Sequence, residues 1–226
     1  MIKKFIASNR TIHNLVSILI NLLPDFISHN FSKYIQIQKC ILNLNYDQIP
    51  GDYFEFGCFT GSSINHAVRT HLRFSKKKLK NNFMNRTFFG LDSFEGFPEE
   101  VHPEYKSENF KSNYDKVKLL ETKYDCCKII KGYFSDSLKE IDNQKEKKIA
   151  FAFIDCDIYD SSKEVINFIK NKLSNGAFLM IDDYYNLDKK DKSIFHSIIE
   201  SEDFYKKLHR VSSYGLNGVV YKYFEK

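Results

Sequence analysis

Five short segments rich in aliphatic and aromatic residues recur along the chain at residues 53–58, 87–92, 127–132, 149–155 and 177–182, each bounded by Gly, Asp or Ser. Their length and boundaries are those of β-strands. Stretches that can hold a helix lie between them, at 63–72, 114–124 and 161–173. In the last of these Val165, Ile166, Phe168, Ile169 and Leu173 repeat at helical spacing, and Asn175 with Gly176 reads as its C-terminal stop. Strict alternation of strand and helix predicts a doubly wound α/β fold, a mainly parallel sheet with helices on both faces. The pattern changes near the end, where HRVSSYGLNGVVYKYF has two alternating runs about Gly-Leu-Asn-Gly. That is a hairpin signal, so the sheet is expected to finish antiparallel.

The 226 residues suit one sizeable domain. The net charge of +5 comes from 34 Lys plus Arg against 29 Asp plus Glu, yet only five of the basic residues are Arg. Phosphate forks and groove contacts favour Arg, so a nucleic-acid partner is not expected. Five cysteines (40, 58, 126, 127 and 156) form no CxxC spacing, which argues against a disulfide framework or zinc and fits a reducing cytoplasm. Cys156, between two aspartates, reads as a small apolar filler. The apolar stretch 15–23 follows Lys3, Lys4 and Arg10 but is too short to span a bilayer. It is expected to form an amphipathic helix that packs on the core or on another subunit, with peripheral membrane contact as the lesser alternative. The lysine-rich 76–86 is expected to be a solvated connection.

The turn after the first strand, DYFEFGCFTGSS, places Glu55, Gly57 and Gly61 in the spacing E-x-G-x-x-x-G, with Ser62 and Ser63 able to cap the following helix. The second strand ends in Asp92, where a carboxylate can accept both hydroxyl protons of a ribose. The turn lacks the G-x-G-x-x-G spacing that serves a pyrophosphate. A ligand with a ribose and no phosphate, such as S-adenosylmethionine, suits it better than a dinucleotide, and Glu55 is then expected to order the turn or to meet the cofactor's charged end.

The fourth strand runs into FIDCDIYDSS, with Asp155, Asp157 and Asp160 in six positions, and the fifth ends LMIDDYY with Asp182 and Asp183. Ends of adjacent parallel strands lie about 4.8 Å apart, so Asp155, Asp182 and Asp183 can converge. Such a cluster either holds a cation or raises its own pKa values. Oxygen ligands without Cys or His favour Mg²⁺, Mn²⁺ or Ca²⁺ over zinc. Ordinary strand-end caps remain the plain alternative, and Asp160 with Ser161 and Ser162 keeps that reading.

Taken in order, IPGDYFEFGCFTGSS, FFGLDSFEGFPE, KGYFSDSL, FIDCDIYDSS and GAFLMIDDYY resemble the macrocin O-methyltransferase family, which includes sugar methyltransferases of macrolide and aminocoumarin biosynthesis. The blocks span about residues 50–186. The resemblance implies a class I methyltransferase fold over 49–226, preceded by an N-terminal helical segment, 1–48, with a lid or packing role. It implies S-adenosylmethionine and Mg²⁺ as cofactors. Metal ligands then fall on Asp155, Asp182 and Asp183, and the general base on Asp157. Cofactor contacts fall on the 55–63 turn (Glu55, Gly57, Gly61, Ser62, Ser63), on Asp92 and Ser93, and on Phe134. The acceptor implied is a sugar hydroxyl of a glycan, glycolipid or glycosylated natural product. A catechol or carboxyl acceptor on the same fold, or a non-catalytic α/β binding protein, are the alternatives. Cys156 stands where the family often has Gly.

Overall fold

The structure, a computed structural model, describes residues 9–75, 85–97, 106–142 and 147–225. Seven strands form one sheet in the order β3-β2-β1-β4-β5-β7-β6. They are β1 Asp52–Phe56, β2 Phe88–Asp92, β3 Cys127–Lys131, β4 Ile149–Ile154, β5 Leu173–Ile181, β6 Leu208–Tyr214 and β7 Gly218–Tyr223. The first five pair in parallel, and β7 enters antiparallel between β5 and the edge strand β6. Strand order reverses between β1 and β4, so the loops that leave these two strands diverge and open a crevice at their carboxyl ends.

The helices are α1 Arg10–Asn21, α2 Asp25–Tyr46, α3 Ser62–Ser75, α4 Tyr114–Lys123, α5 Phe134–Asp142, α6 Tyr159–Ile169, α7 Ile194–Ile199 and α8 Glu202–Tyr205. They cover both sheet faces, which explains why all six residues of β4 are buried: a central parallel strand has no solvent side. Alternate residues feed two cores. Ile154, Phe54 and Phe56 pack with Leu138 of α5, Val165 and Ile169 of α6 and Ile194 of α7. Phe151, Phe153 and Tyr53 face the other way, onto Ile37, Ile41 and Leu44 of α2 and Ile64 and Val68 of α3. By contrast β6, at the edge, leaves most of its side chains exposed.

Three sequence expectations change. The helix expected at 161–173 ends at Ile169, and Asn175 and Gly176 lie inside β5. Gly176 has φ +86° and stands where the β4–β5 register shifts, so this glycine is an irregularity in a strand and not a helix stop. Arg86 is buried, its guanidinium donating to the carbonyls of Gly51 and Ile49 (2.6 Å to the latter). It ties the start of β2 to that of β1, where a solvated connection was expected; residues 76–84 of that stretch lie outside the described residues. Finally, α1 buries none of its residues. Leu15, Ile18, Leu19 and Leu22 are 55–73% exposed, so this helix does not pack on the core of its own chain. Among the described residues no single helix is long and apolar enough to cross a membrane; α1 and α2 pass that test only jointly, across a 119° bend.

Candidate active site

Gly57, the first residue past β1, makes the crevice possible. Its φ is +91°, and a Cβ there would stand 1.9 Å from the Asp155 carbonyl oxygen. The loops after β1 and β4 therefore touch through bare backbone. The Asp155 amide donates to the Phe56 carbonyl, and the Asp182 amide to the Ile154 carbonyl, both at 2.9 Å. These bonds extend the β1–β4–β5 ladder by one residue and deliver the two aspartates side by side.

Beyond the ladder the backbone strains. The Ile158 amide donates to the Cys156 carbonyl at 2.7 Å, closing a three-residue turn with Asp157 at its centre and φ +61°. A γ-turn of that hand is rare. Asp183 has φ +29°, and Phe59 and Phe94, in the loops after β1 and β2, have +43° and +60°. Four non-glycine residues in the left-handed region at one end of a sheet are a concentration of strain typical of functional loops.

Carboxylate oxygens of Asp155, Asp157 and Asp183 lie within 4.8 Å of one another. Burial, with the neighbouring carboxylate second, pushes the acid groups of Asp155 and Asp157 well above the usual range, and that of Asp183 upward. Asp182 behaves oppositely. Against the upward push of burial, hydrogen bonding from His29 and the charge of Lys33 hold it well below the usual range. Its Oδ1 accepts from the Tyr214 hydroxyl at 2.7 Å, the His29 Nε2 lies 3.2 Å away, and the Lys33 ammonium stands 2.5 Å from Oδ2. Hence Asp155, Asp157 and Asp183 crowd together, whereas Asp182 is turned to partners on α2 and β6. A hard-oxygen donor set of this kind, held close together, fits a divalent cation such as Mg²⁺.

A cavity of about 410 Å³ opens beside Asp155 and Asp157. Gly57, Asp92, Ser93 and Phe134 also line it, so six of the twelve anticipated site residues face it directly. Asp92 accepts from the Phe59 and Phe94 amides, one on each oxygen and both at 2.7 Å. A carboxylate offers about four acceptor positions, which leaves room for two hydroxyl donors. Ser93 Oγ donates to the Gly96 carbonyl at 2.8 Å and so shapes the loop. Phe134 packs edge-on against Phe56, centroids 5.9 Å apart.

Glu55, Gly61, Ser62 and Ser63 stand back from the cavity. Glu55 is fully buried and accepts from the Ser63 hydroxyl at 2.5 Å and from the Tyr53 hydroxyl. Of its two anticipated roles, ordering the turn is the one this geometry serves. Burial pushes its carboxyl up to about 7. The proton is therefore held more tightly in the fold than in the unfolded chain, whose value is near 4.5, and between those limits rising pH removes stability. Glu55→Gln is expected to erase this component, about 3 kcal/mol over pH 4.5 to 7, in urea unfolding measured across that range; a slope identical to wild type would contradict it. Cys156 is buried, and burial, then Asp157, pushes its thiol well up, as an inert filler requires.

Sequence reasoning missed the aromatic part of the cavity, Phe59, Phe97, Phe110 and Tyr133. It also missed His29, Lys33 and Tyr214 around Asp182. Asp160 opens α6 as expected but lines the cavity too, where Lys190 pairs with it.

A family model described as Macrocin-O-methyltransferase (TylF) matches residues 32–216. Over 168 residues the chain is 27% identical to 8-demethyl-8-(2,3-dimethoxy-alpha-L-rhamnosyl)-tetracenomycin-C 4'-O-methyltransferase of Streptomyces olivaceus, a match covering 66% of this chain and 58% of the relative. It is 26% identical to mycinamicin III 3''-O-methyltransferase of Micromonospora griseorubida, covering 66% of this chain and 61% of that one. The match thus spans about three fifths of the length of these curated relatives. Among solved structures, the calicheamicin methyltransferase CalS11 superposes with a TM-score of 0.69 at 17% identity, over 97% of this chain and 89% of that one. That likeness shows a class I methyltransferase fold.

Proposed function

Since the chain belongs to the macrocin-O-methyltransferase family, we propose that it transfers a methyl group from S-adenosylmethionine to a sugar hydroxyl, with a divalent cation, Mg²⁺ by the donor chemistry, at the acidic cluster. The convergence of Asp155, Asp157 and Asp183, the first two of them lining a cavity that also holds Asp92, carries this reading. The relatives' printed names, methyltransferases of glycosylated natural products, support the acceptor class. In this reading residues 49–226 are the methyltransferase domain and 1–48 a helical segment with a lid or packing role, of which α2 supplies packing through Ile37, Ile41 and Leu44.

S-adenosylmethionine supplies a methyl group already activated by the sulfonium charge. The divalent cation supplies positive charge that makes a nearby hydroxyl more acidic. Asp155 and Asp183, with Asp182, would hold the cation. Asp92 would accept the ribose hydroxyls, and Phe134 with the aromatic residues of the cavity would flank the base. Acceptor oxygen and methyl carbon must lie in line, and walls formed by strained, well-bonded loops suit that demand for fixed geometry. Asp157 would take the hydroxyl proton as the C–O bond forms and the S–C bond breaks.

Calorimetric titration with S-adenosylhomocysteine should give one site per chain, and labelled methyl should pass to a sugar carrying vicinal hydroxyls in preference to a catechol. Thorough EDTA treatment should abolish transfer and added Mg²⁺ restore it. No binding of S-adenosylhomocysteine would overturn the cofactor assignment; full activity after chelation would overturn the metal.

A further inference from the structure

Helix α2 carries a cation into the acidic cluster. The Lys33 ammonium lies 2.5 Å from Asp182 Oδ2 and 3.1 Å from Asp155 Oδ2, on a side chain only 11% exposed, with the nitrogen 5.7 Å from the centre of the Phe153 ring. The carboxylates it bridges are two of those assigned above to the divalent cation. His29, four residues earlier and so on the same helix face, approaches the same Asp182 from a half-buried position.

We infer that Lys33 is a tethered stand-in for the divalent cation: it holds Asp155 and Asp182 in the ion-free protein and competes for them with the ion. This rests on the metal reading given above and adds to it a residue of the N-terminal segment. Carboxylates withdrawn from water and left without a counter-charge are costly, so a fold that builds such a cluster needs a resident cation when no ion is bound. An ammonium serves that purpose, because it is a compact charge on a flexible stem. It serves reversibly too. A divalent ion bonded at about 2.1 Å to oxygens that Lys33 already contacts would sit within about 5 Å of the ammonium. Two cations at that distance repel strongly even at an effective dielectric of about 20. Asp155 belongs to both sets, so an ion bound through its Oδ2 meets Lys33 whether it settles among Asp155, Asp157 and Asp183 or shifts toward Asp182. Because Lys33 and His29 share one helix face, losing the Lys33 contact loosens α2 at Asp182, and by linkage whatever clamps α2 down weakens ion binding equally.

The test uses the full chain stripped of metal and titrated with Mn²⁺, with free ion followed by electron paramagnetic resonance. Lys33→Met keeps the stem and removes the charge; it should bind Mn²⁺ at least about tenfold more tightly than wild type, one decade being about 1.4 kcal/mol. Lys33→Arg, which keeps the charge, should stay within a few-fold of wild type. Equal or weaker affinity in Lys33→Met would overturn the competition and leave the metal site standing. Failure of both wild type and Lys33→Met to bind Mn²⁺ would overturn the metal reading and this inference together. Should the methionine variant not fold, amide exchange in the wild-type protein decides: Mn²⁺ should speed exchange over residues 29–36, and unchanged exchange in protein that binds Mn²⁺ would refute the proposal.

Discussion

Asp157→Asn is expected to leave S-adenosylhomocysteine affinity unchanged while lowering kcat by about 10²–10⁴-fold, the usual contribution of a positioned general base. Asparagine is the right replacement because position 157 sits at φ +61°. Asn is among the few side chains that adopt this region readily, so the γ-turn should survive and the loss be chemical. Alanine would confound the result by straining the turn. A second readout separates base from ligand. If Asp157 only helped to hold the cation, excess Mg²⁺ would rescue the variant, whereas a missing base leaves kcat low at saturating Mg²⁺. Full activity of Asp157→Asn would end the assignment.

Gly57→Ala should be among the most damaging single substitutions in the chain. The added carbon would meet the Asp155 carbonyl oxygen at 1.9 Å, a backbone atom that no rotamer change can move. Overpacking of this kind costs about 1–3 kcal/mol, and left-handed strain adds about 1–2 kcal/mol. Urea unfolding should therefore show a loss of about 2–5 kcal/mol, within the range of severe core changes. The only relief is to part the β1 and β4 loops, which would shift Asp155 from its place beside Asp157 and Asp183. Any folded fraction should thus also bind Mn²⁺ poorly. Wild-type stability together with wild-type Mn²⁺ affinity would show that the close approach does not matter.

Much of this architecture is legible in the sequence because the physics behind it is local. β4 reads as IAFAFI, and a strand covered on both faces has to be apolar throughout. Its run ends at Asp155 just as that of β5 ends at Asp182, and parallel pairing of adjacent strands brings the two ends together. Asp92 could be placed at the end of β2 by the same argument. What stayed hidden depends on contacts distant in sequence. Lys33 is 122 positions from Asp155, and in a 22-residue helix one lysine among polar neighbours looks like any solvated lysine. Tyr214 reads as a hairpin residue, and nothing local tells that its hydroxyl reaches Asp182. Asn175-Gly176 misled for a different reason. The same dipeptide suits a helix end and a bulged strand, and only the neighbouring β4 decides between them. Glu55 was legible as important, but whether it faced the ligand or the interior depended on Ser63 and Tyr53 closing over it.

The bonds around Asp182 also bear on how the chain acquires its site while it is being made. His29 precedes Asp182 by 153 positions, and Tyr214 follows it by 32. At a synthesis rate of about 5–20 residues per second, Lys33 and His29 emerge roughly 8–30 s before their carboxylate partner. During that interval α2 can neither dock on Asp182 nor be clamped by it. After Asp182 appears, its Tyr214 partner arrives only with the β6–β7 hairpin. The site is therefore a late product of a vectorial process, closed by elements that flank Asp182 in the sequence, one 153 positions before it and one 32 after.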